Sequence, residues 1–183
     1  MAGTVLRLAG ARCVVRPWLE TDVDSLVEHA NNINVAKNLR DRFPHPYTKQ
    51  NAREFLKYAA ARDDQSNLAI EVEREAVGAI GYVPGGDVER FSAEIGYWLG
   101  ESFWGRGIVT EALALVTDHA FARLNLLRLF ALPFAGNVAS ARVLEKAGYV
   151  LEGRLRASCV KYGVPRDQLL YARVNPAWTP PSL

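Results

Sequence analysis

The stretch that decides the fold runs from Tyr97 to Leu113 and reads YWLGESFWGRGIVTEAL. Its first residues complete a β-rich run that begins at Ser92, and its last residues begin a helical pattern predicted for Ile108–Leu124. Gly105 and Gly107 lie in the turn between them. Backbone N–H groups at a helix start have no intrahelical partner and lie at the positive end of the helix dipole. Since glycines let a phosphate approach these groups, the stretch predicts a diphosphate-binding turn.

The turn matches neither of two common phosphate-binding motifs. No Gly-Lys-Ser/Thr follows it, which excludes a Walker A loop, and the GxGxxG spacing of dinucleotide sites fails at Thr110. A simpler interpretation also stands: the glycines only shape a tight strand-to-helix connection, and Glu111 only complements the positive helix N-terminus.

A second informative segment, NVASARVLEKAGY, runs from Asn137 to Tyr149. Asn137 or a neighbour can cap a helix, and Gly148 stands where a helix is typically stopped. Taken alone, the segment predicts a capped helix at Ser140–Lys146 and nothing more.

The flanking sequence alternates between helical and strand patterns. Helices are predicted around Leu26–Ala30, at Val35–Leu39 and after Thr48, and the remaining strands at Cys13–Arg16 (as an edge strand), Asn67–Val72, Ala76–Val83, Leu127–Leu132, Tyr149–Arg154 and Gln168–Val174. This order predicts an α/β (α+β) fold with a mixed sheet. We expect one domain over residues 1–174 and a proline-rich tail over residues 175–183.

The composition is that of an ordinary globular protein. The 183 residues are 49% hydrophobic and 23% charged, with a net charge of only +2, so neither nucleic acid nor a membrane is an expected partner. Residues 1–12 lack the apolar core of a signal peptide, and the two cysteines, Cys13 and Cys159, form no CxxC pair. The three histidines show no metal-binding spacing. These features predict a cytoplasmic protein without a metal.

The two segments together resemble the acyl-CoA-binding motifs of the GNAT superfamily of N-acetyltransferases. The Q/R-x-x-G-x-G/A turn of that family falls on Trp104, Gly107 and Val109, and its later N-x-x-A/S…G-F/Y segment begins at Asn137 and Ser140. The runs Gly96–Leu99, Thr110–Ala112 and Glu152–Gly153 are most similar to the branch that acetylates ribosomal-protein N-termini (the Rim type).

Three positions depart from the family pattern. Trp104 replaces the usual Gln or Arg, and Val109 replaces a small residue that would leave more room for the cofactor. Leu144 stands where many members have a tyrosine that protonates the leaving thiolate. That role therefore cannot be transferred to residue 144.

The resemblance implies a seven-stranded, mostly antiparallel sheet with helices on both faces, acetyl-CoA as cosubstrate, a primary amine as acceptor, and a monomer or homodimer. Glu94 is the implied base, acting directly or through a water, and Ser140 the implied proton donor. The implied cofactor-binding residues are Tyr97, Trp98, Leu99, Trp104, Gly105, Arg106, Gly107, Val109, Thr110, Asn137, Ser140 and Arg142.

Several alternatives remain at this level. Glu94 also fits a surface carboxylate on an alternating strand, and Ser140 fits a helix-start serine that bonds backbone. The expected acceptor is a protein N-terminal α-amine, whose pKa of about 8 makes it easier to deprotonate than a lysine amine at about 10.4. Polyamine, antibiotic or amino-acid-like acceptors use the same scaffold, as does a catalytically silent acyl-CoA-binding module.

Overall fold

Strand β5 (Ser92–Leu99), predicted with these bounds, lies in the middle of a mixed sheet in the computed structural model, which describes residues 6–61 and 66–181. The other strands are β1 (Leu8–Ala9), β2 (Val14–Pro17), β3 (Asn67–Val72), β4 (Glu75–Pro84), β6 (Arg128–Ala131), β7 (Val150–Lys161) and β8 (Val164–Val174). The helices are α1 (Val23–Ala30), α2 (Ile33–Ala36), α3 (Lys49–Ala60), α4 (Ile108–Arg123) and α5 (Val138–Lys146), and short 3₁₀ turns cover Glu20–Asp22, Asp87–Glu89 and Glu101–Phe103. Among the described residues the strand order is β1-β2-β3-β4-β5-β6-β8-β7, and only the β5–β6 pair is parallel.

The described sheet has eight strands, so the expected number of seven is wrong by one. The additional strand is β1, in which Leu8 and Ala9 pair with Val15 and Val14. The prediction that Cys13–Arg16 forms an edge strand is therefore also wrong, since β2 lies between β1 and β3. A two-residue strand is too short to show an alternating pattern, and only its pairing with β2 reveals it.

Several other boundaries differ from the predicted ones, among them the start of β8 at Val164 rather than Gln168, and for two of them the structure shows the reason. Helix α2 starts at Ile33 rather than Val35 because the Asn32 side chain accepts the Asn34 N–H at 2.8 Å and caps the helix there. Strand β7 continues to Lys161, well beyond the predicted end at Arg154. Most of its residues are exposed, so it lacks the buried alternation that marks a strand in sequence; its pairing with β8 defines it instead.

The two sides of the sheet bury separate apolar clusters. Helices α4 and α5 cover one side, where Leu113, Val116 and Leu144 pack with Ile95 and Leu129. Helices α1 and α3 cover the other side with Leu26, Ala30, Tyr47, Ala52 and Leu56. Successive side chains of β5 point to opposite faces, so Tyr97 packs toward α4 and α5, whereas Trp98 packs toward α1 and α3.

The sheet opens between β5 and β6. Their parallel pairing covers only Ser92–Arg128, Ala93–Leu129 and Glu94–Phe130. Beyond Glu94, β5 continues to Leu99 against β4 alone, while β6 ends at Ala131. Within the described residues, one backbone edge of β5 from Ile95 to Leu99 thus has no partner strand. We call this opening the wedge.

The predicted tail contacts the body of the protein where it is described. The Trp178 ring lies 5.4 Å from that of Phe91, and its Nε1 donates to the carbonyl of Asn125 at 3.0 Å. Residues 1–5 and 182–183, the ends of the predicted domain and tail, lie outside the described residues. The division of the chain at residue 174 stays a prediction.

Candidate active site

The turn before α4 presents open backbone. Gly105 and Gly107 have φ values of +77° and +75°, in the left-handed region that favours glycine, and Gly107 is the N-cap of α4. A Cβ added at Gly105 would meet no described atom within 4 Å, and one at Gly107 would meet only the flexible Arg12 side chain. Because the N-cap is a glycine, it has no side chain with which to occupy the first amides of the helix. The turn therefore fits a phosphate group.

The other residues of this turn hold its shape. Trp104, 45% exposed, donates from its indole Nε1 to the Leu99 carbonyl at 2.8 Å and so ties the turn to the end of β5. Arg106 donates to the Ser102 carbonyl at 2.8 Å, and its guanidinium lies over the Phe103 ring. Val109 and Thr110, in the first turn of α4, are half-buried.

Glu111 has a role that sequence reasoning missed. Its carboxylate accepts the backbone N–H groups of Ala11, Arg12 and Cys13 at 3.1, 2.7 and 3.1 Å. Burial alone raises the pKa of Glu111, but the three backbone donors outweigh burial and bring its pKa below the usual value. Glu111 therefore anchors the β1–β2 hairpin, a contact over about a hundred residues that no local pattern reveals.

We expect Glu111→Gln to destabilise the protein by about 1–3 kcal/mol at pH 7, because hydrogen bonds to a charged acceptor become bonds to a neutral one. The pKa of Glu111 is lower in the folded than in the unfolded protein. The ionised carboxylate therefore stabilises the protein at pH values above its unfolded pKa of about 4.3, and this stabilisation is lost as pH falls through the folded pKa. Urea unfolding at pH 7 and pH 3.5 should show the wild-type and variant curves converging at the lower pH. Asp118→Asn, at an exposed position of the same helix, is the control. Equal stability of Glu111→Gln and wild type at pH 7 would contradict the conclusion that Glu111 anchors the β1–β2 hairpin.

The start of α5 meets β5 at a pair of hydroxyl groups. Asn137 caps the helix by accepting the Ser140 N–H at 3.2 Å. The Ser140 Oγ lies 2.9 Å from the phenol oxygen of Tyr97, which also lies 3.3 Å from the Ser140 carbonyl oxygen. Burial raises the pKa of Tyr97 well above its ordinary value, so the phenol keeps its proton. Ser140 and Tyr97 thus form a neutral pair beside the wedge.

The remaining predicted residues of α5 differ in exposure. Arg142 is exposed, in keeping with either a phosphate contact or a solvated face. Leu144 is fully buried in the cluster under α4 and α5, so this position belongs to the core. The sequence assigned Tyr97 to the cofactor through its backbone. Its side chain also belongs to the site, and only the tertiary contact with Ser140 reveals this.

Glu94 lies on the opposite side of the sheet from Tyr97. Its side chain is 32% exposed and forms an ion pair with Arg40. Arg40 belongs to the segment Arg40–Pro46, which we call the 40–46 loop. Its next residue, Asp41, pairs at 2.8 Å with Lys161 at the end of β7.

The 40–46 loop therefore bridges β5 and the β7–β8 hairpin. Phe43 packs against Trp98 with ring centroids 5.6 Å apart, which adds an aromatic wall beside Glu94. His45 is exposed on the same loop. Glu94 and the Ser140–Tyr97 pair lie on the two faces of β5, whose unpaired backbone edge runs from Ile95 to Leu99.

One group of side chains outside the wedge has metal-binding spacing among the described residues. The ligand atoms of Glu28, His29 and Glu75 lie within 4.8 Å of one another, beside a cavity of about 410 Å³ that Glu101 also lines. The His29 Nε2 lies 2.7 Å from Glu75 Oε1, and this hydrogen bond joins α1 to β4. The sequence separates these two residues too far to reveal the contact. The absence of a metal from the reaction stays a prediction.

A free strand edge that leads to a glycine-opened helix N-terminus fits an extended ligand with a diphosphate. A family model identifies the class of protein: residues 12–150 match the acetyltransferase (GNAT) domain. The chain belongs to the GNAT acetyltransferase family, whose members transfer the acetyl group of acetyl-CoA.

In the described residues, no helix is both long and apolar enough to span a membrane.

Comparisons with individual proteins agree with the family. The chain is 45% identical over 85 residues to the probable N-acetyltransferase YjcK of Bacillus subtilis, covering 46% of this chain and 47% of that protein. It is 38% identical over 84 residues to the ribosomal-protein-serine acetyltransferase of Escherichia coli strain K12, covering 45% and 46%. The chain thus matches about half the length of these two relatives.

A solved structure shows the same fold at lower identity. The ribosomal L7/L12 α-N-protein acetyltransferase RimL, solved in complex with coenzyme A, superposes with a TM-score of 0.82. The match covers 92% of this chain and 98% of that one at 22% identity. The prediction of a GNAT fold with a mixed sheet and helices on both faces is therefore confirmed.

Proposed function

We propose that this GNAT acetyltransferase acetylates the N-terminal α-amine of a protein or peptide. The observation that carries the proposal is the Arg40–Glu94 ion pair at the wedge, where a partly exposed carboxylate already holds a cation. An amine acceptor arrives mostly as a cation and must lose a proton to become a nucleophile. The likeness to a ribosomal-protein-serine acetyltransferase supports a protein N-terminus as the acceptor.

The helix start and the strand edge would bind acetyl-CoA. The amides of Gly105–Thr110 receive the diphosphate. The pantetheine arm lies along Ile95–Leu99 like an additional strand, so main-chain groups supply much of the affinity. A Cβ added at Gly78 would collide with the Trp98 carbonyl oxygen, so this oxygen faces β4. By alternation, the backbone groups of Tyr97 and Leu99 face the wedge.

Glu94 would prepare the amine for attack. The ammonium group of the acceptor takes the position of the Arg40 guanidinium, and the Arg40 side chain, which is 54% exposed, turns away into solvent. Glu94 then removes one proton, directly or through a water, and later releases it to solvent. The apolar wall of Phe43 and Trp98 lies beside this position.

The transfer itself has two steps. The amine nitrogen forms a bond to the thioester carbon, and the carbonyl electron pair moves to oxygen, where a main-chain N–H of Tyr97 or Leu99 stabilises the charge. The nitrogen, which becomes positively charged on attack, loses its surplus proton to solvent, and the electron pair on oxygen re-forms the carbonyl as the carbon–sulfur bond breaks. Ser140 Oγ gives its proton to the leaving thiolate and recovers one from solvent. The Tyr97 phenol donates a hydrogen bond to Ser140 Oγ and so orients the serine O–H toward the sulfur.

A thiol-release assay with acetyl-CoA and a panel of amines tests the acceptor class. Peptides with a free N-terminus should give the highest kcat/KM, and the same peptides blocked at the N-terminus but carrying an internal lysine should be inactive at pH 7.5, because the lysine amine has the higher pKa. A higher kcat/KM for spermidine or an aminoglycoside would replace the proposal with a small-molecule acetyltransferase. If no amine increases thiol release while acetyl-CoA binds, the protein is a binding module.

A further inference from the structure

The β1–β2 hairpin places an arginine at the entrance of α4. The Gly10 N–H donates to the Cys13 carbonyl at 2.9 Å, so Ala11 and Arg12 form a two-residue hairpin loop. Glu111, one turn into α4, accepts the N–H groups of Ala11, Arg12 and Cys13. The backbone of Arg12 is thus attached to the helix whose first amides form the diphosphate site.

The Arg12 side chain extends across this entrance. Its Nε and Cδ lie 3.4 and 3.5 Å from the position of a Gly107 Cβ. Within the part of the chain that the structure describes, the guanidinium makes one long contact, with its Nη1 3.4 Å from a Glu111 oxygen, and the side chain is 58% exposed. Because a guanidinium has five N–H donors, most of them remain available to a ligand.

Among the described residues of the turn, the cation is Arg106, and its guanidinium is held over the Phe103 ring. Trp104 occupies the position where the family pattern has Gln or Arg, and its indole is used by the Leu99 carbonyl. Arg106 points back to the Ser102 carbonyl. A diphosphate carries negative charge that helix amides compensate only in part, and arginine matches phosphate oxygens in a bidentate geometry.

We infer that Arg12 binds the diphosphate of acetyl-CoA and supplies the charge that Trp104 does not. The inference rests on the proposed cofactor position at α4. It assigns a cofactor-binding role to the N-terminal hairpin, and it gives Glu111 a second effect, since the carboxylate that anchors the hairpin also positions this arginine.

Calorimetric titration of Arg12→Ala tests the assignment with three ligands: CoA, 3′-dephospho-CoA and pantetheine. We expect the Kd of CoA and of dephospho-CoA to rise about tenfold, which corresponds to about 1.4 kcal/mol, while pantetheine binding stays unchanged. Arg12→Lys should retain part of the affinity, since lysine keeps the charge but not the fork. Added salt should weaken CoA binding to the wild type more than to Arg12→Ala.

Arg7→Ala is the matched control. Arg7 lies next to β1, its side chain is also 58% exposed, and its carboxylate partner is Glu71 at 4.0 Å, so its removal should leave all three Kd values unchanged. An unchanged CoA Kd in Arg12→Ala would overturn the inference. A loss for CoA but not for dephospho-CoA would move Arg12 to the 3′-phosphate, and an equal loss for pantetheine would make its role structural. Failure of the wild type to bind CoA would instead overturn the proposed function.

Discussion

Glu94→Gln is expected to lower kcat/KM for the best amine acceptor by about 100- to 1,000-fold at pH 7, with the Kd of acetyl-CoA unchanged. Glutamine has nearly the same shape but cannot take the proton of the arriving ammonium group. The loss should shrink as pH rises past about 8, because an α-amine then arrives neutral. Steady-state rates from pH 6.5 to 9.5, together with CoA titrations, measure both expectations.

Arg40→Ala separates the base from its ion pair. If Arg40 only occupies the place of the acceptor cation, removing it should leave kcat unchanged and lower the KM of the amine. The pair is partly exposed, so its loss should change stability by no more than about 1 kcal/mol. Full activity of Glu94→Gln at pH 7 would show that the carboxylate only binds Arg40, and the assignment of the base would be wrong.

The second large effect is expected at Ser140. Ser140→Ala should lower kcat by about 100-fold, because the leaving thiolate loses its proton donor. Tyr97→Phe should cost about tenfold, since the serine O–H is then no longer oriented by the phenol. If the two hydroxyl groups act as one unit, the double variant should be no slower than Ser140→Ala alone, and a double-mutant cycle measures this coupling.

Tyr149→Phe is the matched control for this pair. The Tyr149 phenol lies 2.8 Å from Thr117 Oγ1 in the same core, and burial raises the pKa of Tyr149 to about 12, so its environment resembles that of Tyr97. Removing the Tyr149 hydroxyl should lower the free energy of unfolding but leave kcat unchanged. Additive losses from Ser140→Ala and Tyr97→Phe, or a full rate in Ser140→Ala, would contradict the proton-donor role.

Sequence reasoning located the central elements well. The bounds of β3 and β5 and the starts of β4 and α4 were predicted within a residue, because strong apolar patterns and glycine turns mark them. The short β1 and the exposed end of β7 were missed, since each is defined by hydrogen bonds to another strand rather than by its own pattern. The same limit applies to Arg12, whose inferred role depends on the pairing of β1 with β2.

By itself the sequence determined the family and the motif positions, because the glycine turn, its helix and the Asn137–Tyr149 segment are local patterns that survive without any knowledge of distant contacts. Only the tertiary structure decided which side chains meet: Ser140 with Tyr97, Glu94 with Arg40, and Glu111 with the β1–β2 hairpin. Each of these contacts joins residues far apart in the chain, and hydrogen bonds and ion pairs form over a few ångströms, whereas periodicity and spacing report only on neighbours along the chain.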